Sequence, residues 1–337
     1  MRTAIIGLGR MGLRHLEVVR HLGLDLAAVC DLRADVVAET LASAELPARC
    51  GYTDLADLLG ECRPECLIVA TTADAHCDSV CAAAEAGVRA ILCEKPLAVS
   101  LAQCDRMISL CEERGVHLAV NHQMRFMEQY TRAKQICSSD AFGGLSSVTV
   151  VAGNFGISMN GTHYFEMFRY MTDEPPREVE AWFAPDPVAS PRGPRFADRA
   201  GAVRITTARG RRLYLDAGAD QGHGLTVVYA GPYGQLSVDE LSGWLRLVAR
   251  EERHRAEPST RYALSAAETE ERIAPADSVA PSAAVLDALV RASGYPTGED
   301  GRLAVAALVA AHVSDESGHV PVPVADGLPR DRIFPWA

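Results

Sequence analysis

AIIGLGRMG, residues 4–12, decides how the first third of this chain is read. The apolar run Thr3-Ala4-Ile5-Ile6 has the continuity of a buried strand. Gly7-Leu8-Gly9-Arg10-Met11-Gly12 interrupts it, and helical periodicity follows with Leu13, Leu16, Val19 and Leu22 on one face. A second apolar run, 26–30, ends at Asp31. Strand, glycine turn, helix, strand and acid stand in the order that a dinucleotide site requires. Gly7 permits the tight turn, Gly9 lets the backbone approach a pyrophosphate, and Gly12 lets the helix pack close to the strand. The free N–H groups of the helix start, around Arg10 and Met11, then face the phosphates. Asp31, 19 residues beyond Gly12, is placed to accept from the adenosine ribose hydroxyls. A carboxylate there repels a 2′-phosphate, so NAD is expected in preference to NADP; Arg33 nearby is compatible with NADP.

The alternation continues. Residues 34–44 read as a helix and 52–59 as a short helical turn. Residues 66–70 read as a strand ending at Thr71-Thr72, and 75–86 as a helix closed by Gly87. A strand at 90–93 runs into Glu94-Lys95-Pro96, and a helix at 101–114 is closed by Gly115. A last strand at 116–120 ends in Asn121-His122-Gln123. Strands and helices alternating at these lengths predict a doubly wound parallel sheet. Ligands then bind outside the carboxyl ends of the strands, where Asp31, Thr71, Thr72, Glu94, Lys95 and Asn121 converge. Pro96 restrains Lys95 by biasing it away from helical backbone.

Composition bounds the rest. The chain has 337 residues, enough for two domains, with 48% hydrophobic and 23% charged residues. A net charge of -11 argues against nucleic acid as the main partner. No apolar run approaches the roughly 20 residues of a membrane span, and the start of the chain lacks a secretory pattern. A cytoplasmic location is expected. The ten cysteines all lie between Cys30 and Cys137. Their C-x3-C spacing at Cys62 and Cys66 is not that of a zinc knuckle, so they are read as small buried hydrophobes and no metal is expected.

AIIGLGRMG at 4–12, VCD at 29–31, VATTADAH at 69–76, AILCEKPLA at 90–98 and NHQMRF at 121–126 together resemble the Gfo/Idh/MocA oxidoreductases. The likeness extends to YAGPYGQLSVD at 229–239 and to residues 298–324. It implies an NAD(P)-binding Rossmann domain, 1–121. A second α/β domain, 122–337, would carry a large, open, mainly antiparallel sheet, with a helix at about 298–314 packing back toward the first domain. Homodimers or homotetramers through that sheet are implied too. The residues agree independently: 146–154, 178–184, 202–207, 212–217, 225–230, 234–238 and 245–250 read as strands. Residues 186–199 read as a Pro- and Arg-rich loop, and 263–282 are Ala/Glu-rich and ambiguous.

The resemblance also implies chemistry: oxidation or reduction of a secondary ring hydroxyl or ketone in a sugar, amino sugar or cyclitol. A secondary-metabolite or aminoglycoside intermediate falls within that class. Lys95 and His163 would handle the hydroxyl proton. The cofactor set would be Gly7, Gly9, Arg10, Met11, Gly12, Asp31, Thr71, Thr72, His76, Glu94, Lys95 and Asn121. His163 is expected in the first turn of a helix from 162, capped by Asn160 or Thr162. A helix N-terminus there would disfavour imidazolium. Glu166, three residues on, is placed to orient the imidazole or touch substrate, and Asn160 and Arg125 are further substrate contacts; Arg125 reads almost as well as an ion pair between domains. Family members often carry an aspartate four residues before the histidine, where this chain has Met159. His163 is thus read as the base, alternatively as a substrate binder with Lys95 moving the proton. Two other functions stay open: an NAD-retaining glycosidase and a non-catalytic nucleotide sensor.

Overall fold

The computed structural model describes residues 1–222, 224–258, 266–274, 277 and 279–336. The first part is built of β1 (Arg2–Ile6), α1 (Arg10–His21), β2 (Asp25–Cys30), α2 (Ala34–Ala44), β3 (Gly51–Tyr52), α3 (Leu55–Cys62), β4 (Cys66–Val69), α4 (Ala73–Glu85), β5 (Ala90–Cys93), α5 (Leu101–Arg114) and β6 (His117–Val120). All its strands run parallel, in the order β3-β2-β1-β4-β5-β6. β4 and β5 are buried along their whole length, as a sheet covered on both faces demands. The turn expected at 52–59 is instead the short strand β3 followed by α3, whose Asp54 cap accepts from the Ala56 and Asp57 amides.

The chain continues through α6 (Glu128–Cys137), β7 (Ser147–Ala152), α7 (Thr162–Thr172), β8 (Glu178–Val188), β9 (Asp198–Thr206), β10 (Arg212–Ala217), β11 (Leu225–Ala230), β12 (Gly234–Asp239), β13 (Trp244–Arg250), β14 (Ala266–Arg272), α8 (Ala280–Val290), α9 (Gly298–Glu316) and β15 (Val322–Pro323). Nine strands form one sheet in the order β14-β13-β12-β11-β7-β10-β9-β8-β15. Every pairing is antiparallel except β7 with β10. Val148, Val150, Leu213, Leu215, Val203 and Ile205 line its buried face, alternating with outward residues.

Two expectations change. Residues 186–199 are not all loop: β8 runs on to Val188 and β9 starts at Asp198, leaving 189–197 as the connection. A register shift between Phe183 and Pro187 lets the prolines sit in a strand whose outer neighbour is only the two-residue β15. In the ambiguous segment, 263–265, 275, 276 and 278 lie outside the described residues, while β14 and α8 flank them. α8 packs on the parallel sheet, with Ala283, Val285, Leu286 and Leu289 in one core with Ile5, Val19, Ile68 and Leu92. α9 lies between the two sheets, touching α5, β6, α7 and β8, and its residues from Ala304 to Ala311 are all buried. A Thr297/Asp300 capping box starts it.

Candidate active site

The glycine turn has the geometry its residues predicted. Gly7 has φ +86°, and a Cβ there would lie 2.6 Å from the Thr71 nitrogen. A Cβ on Gly12 would fall 1.9 Å from the Gly7 carbonyl oxygen, so α1 packs on the turn only because position 12 has no side chain. Gly9 faces open space on the wall of a cleft of about 1860 Å³. Arg10, Met11, Asp31, Thr71 and Thr72 line the same cleft. It continues past α3 and α4 as far as Arg63 and Arg89. Asp31 accepts from the Leu8 amide at 2.8 Å and the Arg33 amide at 3.0 Å, which fixes the carboxylate at the end of β2. The Arg33 side chain itself pairs with Asp35. The bare helix start, the glycine that allows close approach and the fixed acid fit a dinucleotide.

Other expected cofactor residues stand behind this lining. His76 is buried, its ring nitrogens within 3.1–3.2 Å of the Pro96, Leu97 and Thr71 carbonyls. It braces the Lys95-Pro96 loop against the end of β4, behind the residues that line the cleft. Asn121, also buried, donates to Glu94 Oε1 at 2.8 Å and to Ser282 Oγ at 3.2 Å. His15 Nε2 meets the same Glu94 oxygen at 2.8 Å. Burial pushes the Glu94 carboxyl up, but His15, Lys95 and Asn121 more than offset this and leave it lowered to about 2. His15 was not anticipated; its signal was a polar residue three positions after Gly12, on the face of α1 turned to the sheet.

Lys95 follows β5, and its Nζ donates to the Met159 carbonyl at 2.5 Å. Burial lowers its pKa to about 8; Glu94 and Asp198 work against that, while Arg192 and Arg10 add to it. Met159 lies in a π-helical turn, Ile157–Gly161, that runs directly into α7. The cap expected at Asn160 or Thr162 is absent: Gly161 precedes α7 with no side-chain cap, and Thr162 Oγ1 bonds back to the Ser158 carbonyl at 3.0 Å. With a helical turn already before it, His163 does not sit at a bare helix N-terminus. Its pKa is nevertheless held well below the usual histidine value by burial, then by the charges of Lys95 and His122. His122 is perpendicular to it at 6.4 Å between ring centroids, and burial brings its own pKa down to about 4.

No carboxylate stands at 159, yet one reaches the same turn from elsewhere. Asp198, at the start of β9, accepts from the Ser158 amide at 2.9 Å and the Met159 amide at 2.8 Å. A Cβ on Gly156 would collide with it at 1.9 Å. Burial raises its pKa against the pull of these amides.

Glu166 does not meet the imidazole. Its buried carboxylate pairs with Arg125 and, at 3.0 Å, with Arg169. Asp300 of α9 completes a four-charge cluster, 2.9 Å from Arg125 and 3.2 Å from Arg169. Arg125 also lies over the Tyr170 ring at 5.6 Å. Arg125 thus makes ion pairs, but with partners in its own second domain and not between domains. Asn160 follows Met159, whose carbonyl accepts from Lys95, in the π turn.

Residues 1–122 match the family described as "Oxidoreductase family, NAD-binding Rossmann fold", GFO_IDH_MocA. The first domain is thus similar to that family. An inositol 2-dehydrogenase of Salmonella typhimurium is 30% identical over 146 residues, 42% of this chain and 43% of that protein. A myo-inositol 2-dehydrogenase of Thermotoga maritima is 29% identical over 199 residues, 55% of this chain and 58% of that protein. The chain thus spans about half the length of these curated relatives. Among solved structures, GenD2 from gentamicin A biosynthesis, in complex with NAD, matches with a TM-score of 0.75 at 23% identity, over 96% of each chain. That likeness carries the fold across both domains. Among the described residues no helix is long and apolar enough to cross a membrane.

Proposed function

We propose that this protein is an NAD-dependent dehydrogenase acting on a secondary ring hydroxyl of a sugar, amino sugar or cyclitol. The observation that carries the reading is Lys95: a lysine at the rim of an NAD-binding domain, lowered to about 8 and close enough to lower the pKa of His163. Gly9, Arg10, Met11, Asp31, Thr71 and Thr72 would hold the dinucleotide, with the Asp31 carboxylate favouring NAD over NADP. When bound, the nicotinamide supplies the redox partner of the substrate carbon. Lys95 Nζ holds the substrate oxygen and stabilises its developing negative charge. His163, kept neutral by its surroundings, accepts the hydroxyl proton. Asp198 fixes the Met159 carbonyl that orients the lysine. In the other direction His163 returns the proton. The names of the curated relatives, both inositol dehydrogenases, support a polyol ring as substrate.

The test is NADH absorbance with NAD⁺ and a panel of sugars, amino sugars, cyclitols and their nucleotide-linked forms. Turnover of at least one ring alcohol is expected. Cleavage of aryl glycosides without NADH release would assign the retained-cofactor glycosidase instead, and no turnover of any kind would favour a sensor. The outward face of the large sheet exposes Val151 of β7, Tyr214 of β10 and Trp182 of β8 on one face. It supports a homodimer or homotetramer through that face, which light scattering in solution tests.

A further inference from the structure

Residues 189–197 lean from the second domain onto the dinucleotide cleft, which Pro191, Arg192 and Arg195 line together with Gly9 and Arg10. Arg195 is tied to the first domain through Asp74 of α4, Nη1 to Oδ2 3.2 Å. Arg192 has no such tie: its Nη1 is buried and has no hydrogen-bond partner among the described residues. A buried guanidinium N–H without an acceptor is costly, and an anion in the cleft offsets that cost.

The charges around it point the same way. Arg192 senses Glu94 and Arg10, and Lys95 senses Arg192. Glu94 is already engaged by His15 and Asn121. What remains is a concentration of cations beside the start of α1, where Gly9 provides no side-chain cap. Free helix N–H groups and a planar guanidinium fork are complementary to phosphate oxygens.

We propose that Arg192 is a ligand of the dinucleotide pyrophosphate, supplied across the cleft by the second domain. Cofactor binding would then require both domains, with the 189–197 connection as a clasp. This rests on the first domain binding NAD, and the test separates the two claims. Titration calorimetry on the full chain compares NAD⁺, ADP and adenosine, in the native protein and in Arg192→Gln and Arg192→Lys. In Arg192→Gln, Kd for NAD⁺ and ADP should rise roughly ten- to hundred-fold, the size of a lost charge-assisted hydrogen bond, with adenosine unchanged. Arg192→Lys should recover part of the loss. Unchanged NAD⁺ and ADP affinity in Arg192→Gln overturns the proposal, as does equal weakening of adenosine, which would mean a disturbed fold. Failure of the native chain to bind NAD⁺ would overturn the cofactor reading itself.

Discussion

Glu94, at the end of a parallel strand, accepts from His15, Asn121 and the Lys95 amide. His163, early in α7, keeps its Nδ1 buried without a partner among the described residues, and His122 beside it does so with both ring nitrogens. The first region is held rigid by hydrogen bonds within one domain. The second is poised by burial and by neighbouring charge, with polar atoms left to engage a substrate. Under the proposed mechanism the lysine side would supply fixed electrostatics and the histidine side proton exchange.

Removing Lys95 breaks the comparison most directly. Lys95→Ala should lower kcat by roughly 10²–10³-fold, the range of a lost donor to a developing oxyanion, while NAD⁺ affinity measured by titration stays native. Unchanged turnover would sink the mechanism. His163→Ala should reduce kcat by about 10²-fold with a smaller change in KM; a change confined to KM would make His163 a binding residue. Arg125→Ala leaves Glu166 with one cation fewer in a buried cluster and should cost about 3–5 kcal/mol in chemical denaturation. A loss below 1 kcal/mol would show the cluster to be dispensable. Glu94→Gln sharpens the contrast through pH. The Glu94 charge raises the Lys95 pKa, so the fall in activity expected as pH rises through about 8 should move to lower pH in the variant.

A smaller effect is expected at Glu240, which accepts from Tyr164 at 2.9 Å and also from Tyr130. Burial raises its pKa to about 7 despite these donors. A raised folded-state pKa means stability that is full below the ordinary glutamate value and declines as pH rises through about 7. Native protein should therefore lose more Tm between pH 5 and 8 than Glu240→Gln does; parallel curves would contradict the assignment.

The legible parts of the chain are those whose cause is local. Gly7, Gly9 and Gly12 answer to one turn, and the β1 to β6 alternation follows from short apolar runs between helices. The strands of the large sheet show the same period-two burial their residues display. What escaped is long-range. Asp198 reaches Met159 across 39 positions and Asp300 reaches Arg125 across 175, so neither pairing leaves a mark on its neighbours. The 186–199 segment misled because prolines read as loop, whereas a strand with only a two-residue outer neighbour tolerates them. α8 was hidden because it buries its apolar residues on a sheet formed much earlier in the chain. His163 kept its predicted place but lost its predicted cause: burial, with Lys95 nearby, replaces the helix end.

Nine of the ten cysteines lie in the parallel-sheet domain, and the tenth, Cys137, in α6 of the second. All but Cys50 are buried, and burial pushes the thiols of Cys30, Cys66, Cys77, Cys111 and Cys137 up to about 12. Such thiols are silent toward alkylating reagents until the surrounding structure opens. Beyond Cys137 the chain has no sulfhydryl at all. Alkylation followed by mass spectrometry would therefore time the breathing of the parallel-sheet domain, site by site and without an introduced label, while Cys137 reports on α6.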